Sequence, residues 1–255
     1  DGIRDLVRSR GLGDVYKRQA DGSNPLADIR VRKALSLAVN REAIVDRLMG
    51  GMATVASQFA PSYRDGADST MPDLTYDPEQ AKALLAEAGY SSGITMVLNV
   101  PNGKYTNGSR VAQALAQYYT RVGIEVSLKV EPWSVFKKGR KNRDFGVFMY
   151  GWGHPQGAAQ MISYAFASRN KDLNLGVSNY SNYKNADFDS AMEKWAVETD
   201  KAASDGYLQA AMRVVVEELP GIPLYYQHSV WAHDSNLTVV GRPDERTFAE
   251  MVSRN

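Results

Sequence analysis

The 255-residue chain contains no cysteine. That absence excludes a disulfide framework, a Cys-ligated zinc or iron–sulfur centre and a thiol nucleophile, and leaves the redox compartment open. Histidine is scarce too: His154, His228 and His233 are the whole supply. The last two lie five apart on a predicted strand and its exit, poor geometry for one metal, so neither a metal nor a cofactor is expected. No apolar run approaches the roughly 18–20 residues needed to span a bilayer. The net charge is +1, without a lysine/arginine block or aromatic–basic interleaving, so no nucleic-acid partner is expected. Enzyme signatures are also missing: there is no G-x-S-x-G elbow, Walker A loop, G-x-G-x-x-G after a strand or H-E-x-x-H. What is present, 44% hydrophobic and 23% charged residues with 21 glycines and 10 prolines, fits one large globular domain or two small ones.

The opening segment, Asp1 to Gln19, differs from the rest. Five basic residues face three acidic ones, and Gly11 and Gly13 interrupt its apolar positions. It has no signal-peptide pattern. The string resembles a translated adapter or assembly junction of the kind found at the ends of metagenomic fragments. Residues 1–19 are therefore expected to lie outside the fold.

Beyond it, strands and helices alternate. Asp28 is a helix N-cap followed by Ile29, Val31, Leu35 and Val39, and Asn40 opens a second helix that Gly50-Gly51 closes. Residues 58–75 read as an irregular connection. Asp77, Pro78 and Gln80 then form a capping-box start, with Ala81, Leu84, Leu85 and Ala88 as the apolar stripe. A strand over 94–100, a helix over 109–122 with Val111, Leu115, Tyr118 and Val122 inward, and a strand over 124–130 make a βαβ unit, so part of the sheet is parallel. A short helix over 133–141 and a strand over 145–151 follow. Helices are expected over 158–166, 187–198 and 201–219, and a long final strand over 222–231. The class is α/β.

Two segments are chemically rich. Tyr150-Gly151-Trp152-Gly153-His154-Pro155-Gln156-Gly157 leaves a strand at its C-terminal end, where open α/β sheets bind ligands. Aromatic faces, a His, a Gln and backbone access from glycines suit a binding loop; they equally suit a Gly-rich turn carrying two core aromatics. Lys104-Tyr105-Thr106-Asn107 occupies the equivalent position after the strand over 94–100. Its cation, hydroxyls and amide suit an anionic group, and they also suit a solvated turn. Glu217-Glu218 reads as a solvated pair, and Asp187 with Asp189 as first-turn carboxylates favoured by a helix dipole.

In register along the chain, several motifs resemble one family. Asp28 to Asp46 (DIRVRKALSLAVNREAIVD) is similar to the signature opening the distal lobe of family 5 extracellular solute-binding proteins, receptors of ABC importers. Tyr76 to Tyr90 (YDPEQAKALLAEAGY), Val122 to Val126, Gly151-Trp152, Asn185 to Asp189 and Leu219 to Tyr226 follow in the family's order, from about Pro25 to Met251. The resemblance implies the distal lobe of a two-lobed, type II periplasmic-binding fold, a mixed sheet flanked by helices. Residues 20–228 would form that lobe, and 229–255 would return to a first lobe, with the crossover near Gln227 to Trp231. It further implies a truncated C-terminal half of a monomeric, non-enzymatic receptor, periplasmic or lipid-anchored. Such a receptor closes on a small solute, peptide-like, glutathione-like or a glycoside, and delivers it to ABC permease subunits. The expected cleft wall is Lys104, Tyr105, Asn107, Tyr150, Gly151, Trp152, Gly153, His154 and Gln156. Where dipeptide receptors present an aspartate to the peptide ammonium, this chain has Gly157-Ala158-Ala159, which puts standard amino-terminal recognition in doubt. The competing readings are a sensor or chaperone-like solute-binding module, and a hydrolase using His154 as base, for which no nucleophile motif exists.

Overall fold

The computed structural model describes residues 6–9 (backbone only), 24–61, 65–152, 158–241 and 247–254. Its N-terminal helices form where their caps are. Asp28 accepts from the Arg30 N–H at 2.8 Å and starts α1 (Ile29–Leu37). Asn40 accepts from the Ala43 N–H and starts α2 (Arg41–Ile44), which continues as a wide π-type turn, Val45–Met49. Asp77 accepts from the Gln80 N–H at 2.8 Å and starts α3 (Pro78–Glu87). The return leg of a capping box is replaced by a tertiary bond: the Asp77 N–H donates to the Leu37 carbonyl at 2.9 Å, joining the start of α3 to the end of α1.

The βαβ unit forms as its alternation requires. Strand β3 (Ile94–Pro101), helix α4 (Gly108–Arg121) and strand β4 (Ile124–Glu131) follow in order, with β3 and β4 parallel from Ile94↔Ile124 to Pro101↔Glu131. Gly93 and Gly123, both at positive φ, set the two strand starts side by side, and the Ile94 N–H donates to the Gly123 carbonyl at 3.1 Å. Tyr119 is the fully buried aromatic of α4, whereas Tyr118, expected inward, is half-buried. Helix α5 (Trp133–Asn142) then leads to β5 (Val147–Tyr150), parallel to β3. After it come α6 (Ala158–Phe166), α7 (Ala186–Val197) and α8 (Lys201–Glu218).

Two expectations are corrected. The final strand is not continuous: β6 (Gly221–Pro223) belongs to the main sheet, while β7 (Tyr225–Gln227) pairs antiparallel with β2 (Ala53–Val55). Residues 228–231 are not strand. The cause is local. Pro223 has no N–H to extend a ladder, its carbonyl accepts from Arg41 Nε at 2.8 Å, and Leu224 bonds back to the Ala56 N–H on the β2 side. Arg41 is buried and also donates to the Ser36 carbonyl and hydroxyl; burial pushes its guanidinium down to about 10.

The second correction concerns residues 1–19. Strand β1 (Leu6–Ser9) lies inside that segment, and its backbone runs antiparallel between β5 and β6. The sheet order is β4-β3-β5-β1-β6. Since β5 and β6 bond to β1 and not to each other, a strand must fill that place, and an extended four-residue run suffices. A small ladder, β8 (Leu237–Val239) with β9 (Val252–Arg254), ends the described chain.

Apolar burial falls into two large cores and a small third one of Phe136, Phe145 and Phe148 at α5. One core lies between the sheet and α1, α3 and α4, around Leu35, Leu85, Leu98, Val111 and Leu115. The other gathers α6, α7 and α8 around Ile162, Phe166, Phe188, Met192 and Met212. Each fully buried side chain of this size contributes about 1.5–3 kcal/mol. The C-terminal ends of β3, β4 and β5 carry the loops considered next.

Candidate functional site

Three consecutive parallel strands each end in an aromatic or cationic residue. After β3 come Lys104 and Tyr105; after β4 comes Trp133, the first residue of α5; β5 ends in Tyr150, followed by Gly151 and Trp152. The strand ends converge on the Tyr150 ring. Trp133 stacks on it at 6.3 Å with a 14° interplanar angle, and Tyr105 and Trp152 meet it edge-on at 6.5 and 6.0 Å. Trp152 in turn meets Tyr164 of α6 edge-on at 6.4 Å. Such offset and edge-on pairs each add about 0.5–1.5 kcal/mol beyond area burial, so the array is a firm platform.

Two cations join it. The exposed Lys104 Nζ stands 5.0 Å from the Trp133 ring centroid. The buried Arg140 guanidinium lies 3.8 Å from the Tyr150 centroid and 4.9 Å from that of Tyr180. Arg140 can come this close because α5 lies tight against the sheet. At Gly139 a Cβ would fall 2.5 Å from Phe145 Cζ, so only glycine permits that approach.

Of the residues expected from sequence, Lys104, Tyr105, Tyr150, Gly151 and Trp152 are brought together. Asn107 Nδ2 donates to the Leu48 carbonyl at 2.7 Å, and its backbone sits at φ 54° before α4. Gly153, His154 and Gln156 lie outside the described residues. The other two histidines are far apart in role, His228 bonding Thr54 Oγ1 at 2.7 Å and His233 exposed. Among the described residues no group of three or more His, Asp or Glu side chains is placed to hold a metal.

Trp133, Arg140, Tyr164 and Tyr180 were missed in the sequence. For two of them a signal existed. Trp133 follows β4 just as Lys104 follows β3, and Trp133, Phe136 and Arg140 recur at i, i+3 and i+7, one helix face. Tyr180, in the connection before α7, had none.

This arrangement gives aromatic faces and positive charge at the C-terminal rim of a parallel sheet, with no nucleophile–base pair among its described members. The pattern of the bacterial extracellular solute-binding proteins, family 5 (middle region), matches residues 10–174. The chain belongs to that family. Among similar family 5 relatives, the glutathione-binding protein GsiB of Escherichia coli K12 is 32% identical over 240 residues, covering 92% of this chain and 46% of the relative. Heme-binding protein A of Haemophilus influenzae is 27% identical over 229 residues, covering 88% and 41%. The structure of HbpA2 from Haemophilus parasuis superposes with a TM-score of 0.82 at 23% identity, over 100% of this chain and 49% of that one. DppA from Helicobacter pylori, solved with the peptide STSA, gives 0.81 at 19% identity, over 99% and 47%. The family 5 fold here is thus the mixed α/β, type II periplasmic-binding architecture. The chain spans less than half the length of these two curated relatives.

Proposed function

We propose that this family 5 chain is the distal lobe of a two-lobed receptor that binds a small solute and delivers it to an ABC permease. Residues 20–228 together with β1 form the lobe, and 229–255 lead back to the first lobe. The observation that carries the reading is the convergence of Lys104, Tyr105, Trp133, Tyr150 and Trp152 at the ends of three parallel strands. An open sheet binds ligands there, and a second lobe would close over the exposed rim by hinge motion. The ligands for which the relatives are named or with which they were solved, glutathione, heme and a peptide, support a solute of modest size without choosing one. The role is binding and not catalysis, and the compartment is periplasmic or lipid-anchored extracellular. The full-length receptor acts as a monomer.

Recovery of the coding sequence upstream of Pro25 tests the two-lobe reading: a first lobe and leader support it, and a start codon directly before Asp1 refutes it. In the extended receptor, Trp152→Ala abolishes saturable, ligand-dependent melting shifts. Unchanged shifts would remove Trp152 from the site.

A further inference from the structure

The buried arginines among the described residues are Arg32, Arg41 and Arg140. Arg32 donates to the carbonyls of Leu26, Ala27 and Glu218 and pairs with the Glu218 carboxylate at 3.2 Å. Arg41 donates to the carbonyls of Pro223 and Ser36 and to the Ser36 hydroxyl. Both follow the rule that a buried charge has its donors satisfied. Arg140 does not. It is 8% exposed, and among the described residues its Nε and Nη1, shut from solvent, have no acceptor and no carboxylate pairs with it.

What Arg140 has instead is two aromatic rings, with its Cζ 3.8 Å from the Tyr150 centroid and 4.9 Å from that of Tyr180. Aromatic faces attract a cation electrostatically, yet they offer nothing to the N–H groups, which lie in the guanidinium plane. The need at this position is therefore for in-plane acceptors, and two adjacent rings favour a flat one. A carboxylate is planar, anionic and the natural edge-on partner of a guanidinium. The surroundings agree in sign: α5 carries Lys137, Lys138, Arg140 and Lys141 without an acidic residue, and Lys104 stands over Trp133 at the same rim.

We propose that Arg140 is the receptor for a carboxylate of the bound solute, so that the site selects acid-bearing solutes over neutral or cationic ones. This rests on the solute-receptor reading above. Tyr180, half-buried in the connection between α6 and α7, is the ring that moves to admit the acid. The guanidinium is already desolvated, so the acid meets a donor that has no water to give up, and its hydrogen bonds count nearly in full.

The test uses the 255-residue chain at pH 7, melted in sodium acetate, sodium chloride and sodium phosphate at matched ionic strength. Acetate gives a saturable rise that chloride and phosphate do not, and Arg140→Met loses it. Arg140→Lys, which keeps the charge without the planar edges, weakens the acetate response about tenfold or more and serves if the Met variant does not fold. No acetate-specific rise in the parent, the same rise in Arg140→Lys, or a phosphate rise equal to that of acetate overturns the proposal. Glutathione and its diethyl ester separate this from the receptor reading. An acetate response without any glutathione response keeps the carboxylate site and excludes glutathione as its solute, while the receptor reading stands or falls on the upstream coding sequence. A glutathione response equal to that of the ester, and unchanged in Arg140→Lys, keeps the receptor and overturns the role of Arg140.

Discussion

Replacing Gly93 and Gly123 separately by alanine gives a steric prediction with an internal control. Both residues sit at nearly the same positive φ, 86° and 91°. A left-handed alanine costs about 1–2 kcal/mol, partly offset by about 0.4–1 kcal/mol from the stiffer unfolded chain. At Gly123 nothing else opposes the new methyl, whose nearest neighbour would be the Gly93 Cα at 3.9 Å. Gly123→Ala should therefore cost at most about 1.6 kcal/mol. At Gly93 the methyl would fall 2.5 Å from the Gly123 carbonyl oxygen, the atom that accepts the Ile94 N–H. Because that neighbour is backbone, relief requires β3 and β4 to part at their first pair, an overpacking cost of about 1–3 kcal/mol. Gly93→Ala should exceed Gly123→Ala by that amount in urea denaturation at constant m-value. Because these starts lie at the end of the strands opposite Tyr150, solute-dependent melting shifts should survive in both variants. Equal destabilisation by the two substitutions would refute the steric account.

Further outcomes follow from buried polar groups. Tyr119 is fully buried with no partner for its hydroxyl among the described residues, and burial pushes its phenol well above the usual range. Tyr119→Phe should be neutral or stabilising by about 1 kcal/mol in denaturant melts; a loss above that would reveal a bond to the hydroxyl. Arg41→Leu strands the Pro223 and Ser36 carbonyls and should cost about 2–4 kcal/mol; a change under ~1 kcal/mol would mean that Arg41 does not hold the β6 end. The Asp68 carboxyl is held at about 2 by the Thr70 hydroxyl and N–H, then by Arg213 at 2.6 Å. Its folded pKa lies below the unfolded value of about 3.9. The stability it confers is thus present above about pH 4 and lost as pH falls toward 2. Asp68→Asn should flatten that limb of the acid melt, and an unchanged limb would assign it to other carboxylates.

Local rules found most of the fold because the elements obey them without tertiary help. Asp28, Asn40 and Asp77 cap the helices expected of them, and the alternation of Ile124, Val126 and Leu128 with polar residues produces β4. What failed was non-local. The expected strand over 222–231 is strongly β-prone in sequence, yet Pro223, the buried Arg41 and the demand of β2 for a partner divide it. In the site, strand ends were legible through topology, so Lys104, Tyr105, Tyr150 and Trp152 were named. Tyr180 was not, since its place over Arg140 depends on how a long connection packs. The bond of Asn107 to a carbonyl 59 residues away was equally illegible, since an amide in a turn carries no sequence mark for so distant a partner.

The division of 221–227 between two sheets constrains chain length more than residue identity. Leu224 alone joins β6 to β7, and beyond it the side chains alternate: Tyr225 is buried, while the Tyr226 hydroxyl lies 2.8 and 2.7 Å from the Gln58 and Ala60 carbonyls. A conservative replacement of Leu224 leaves that alternation intact. Inserting a single residue there would turn Tyr225 outward and Tyr226 inward, since strand side chains change face at every step. Among homologous sequences aligned over this stretch, insertions and deletions should therefore be rarer between positions 221 and 227 than substitutions, and should cluster instead in the connection over 228–236.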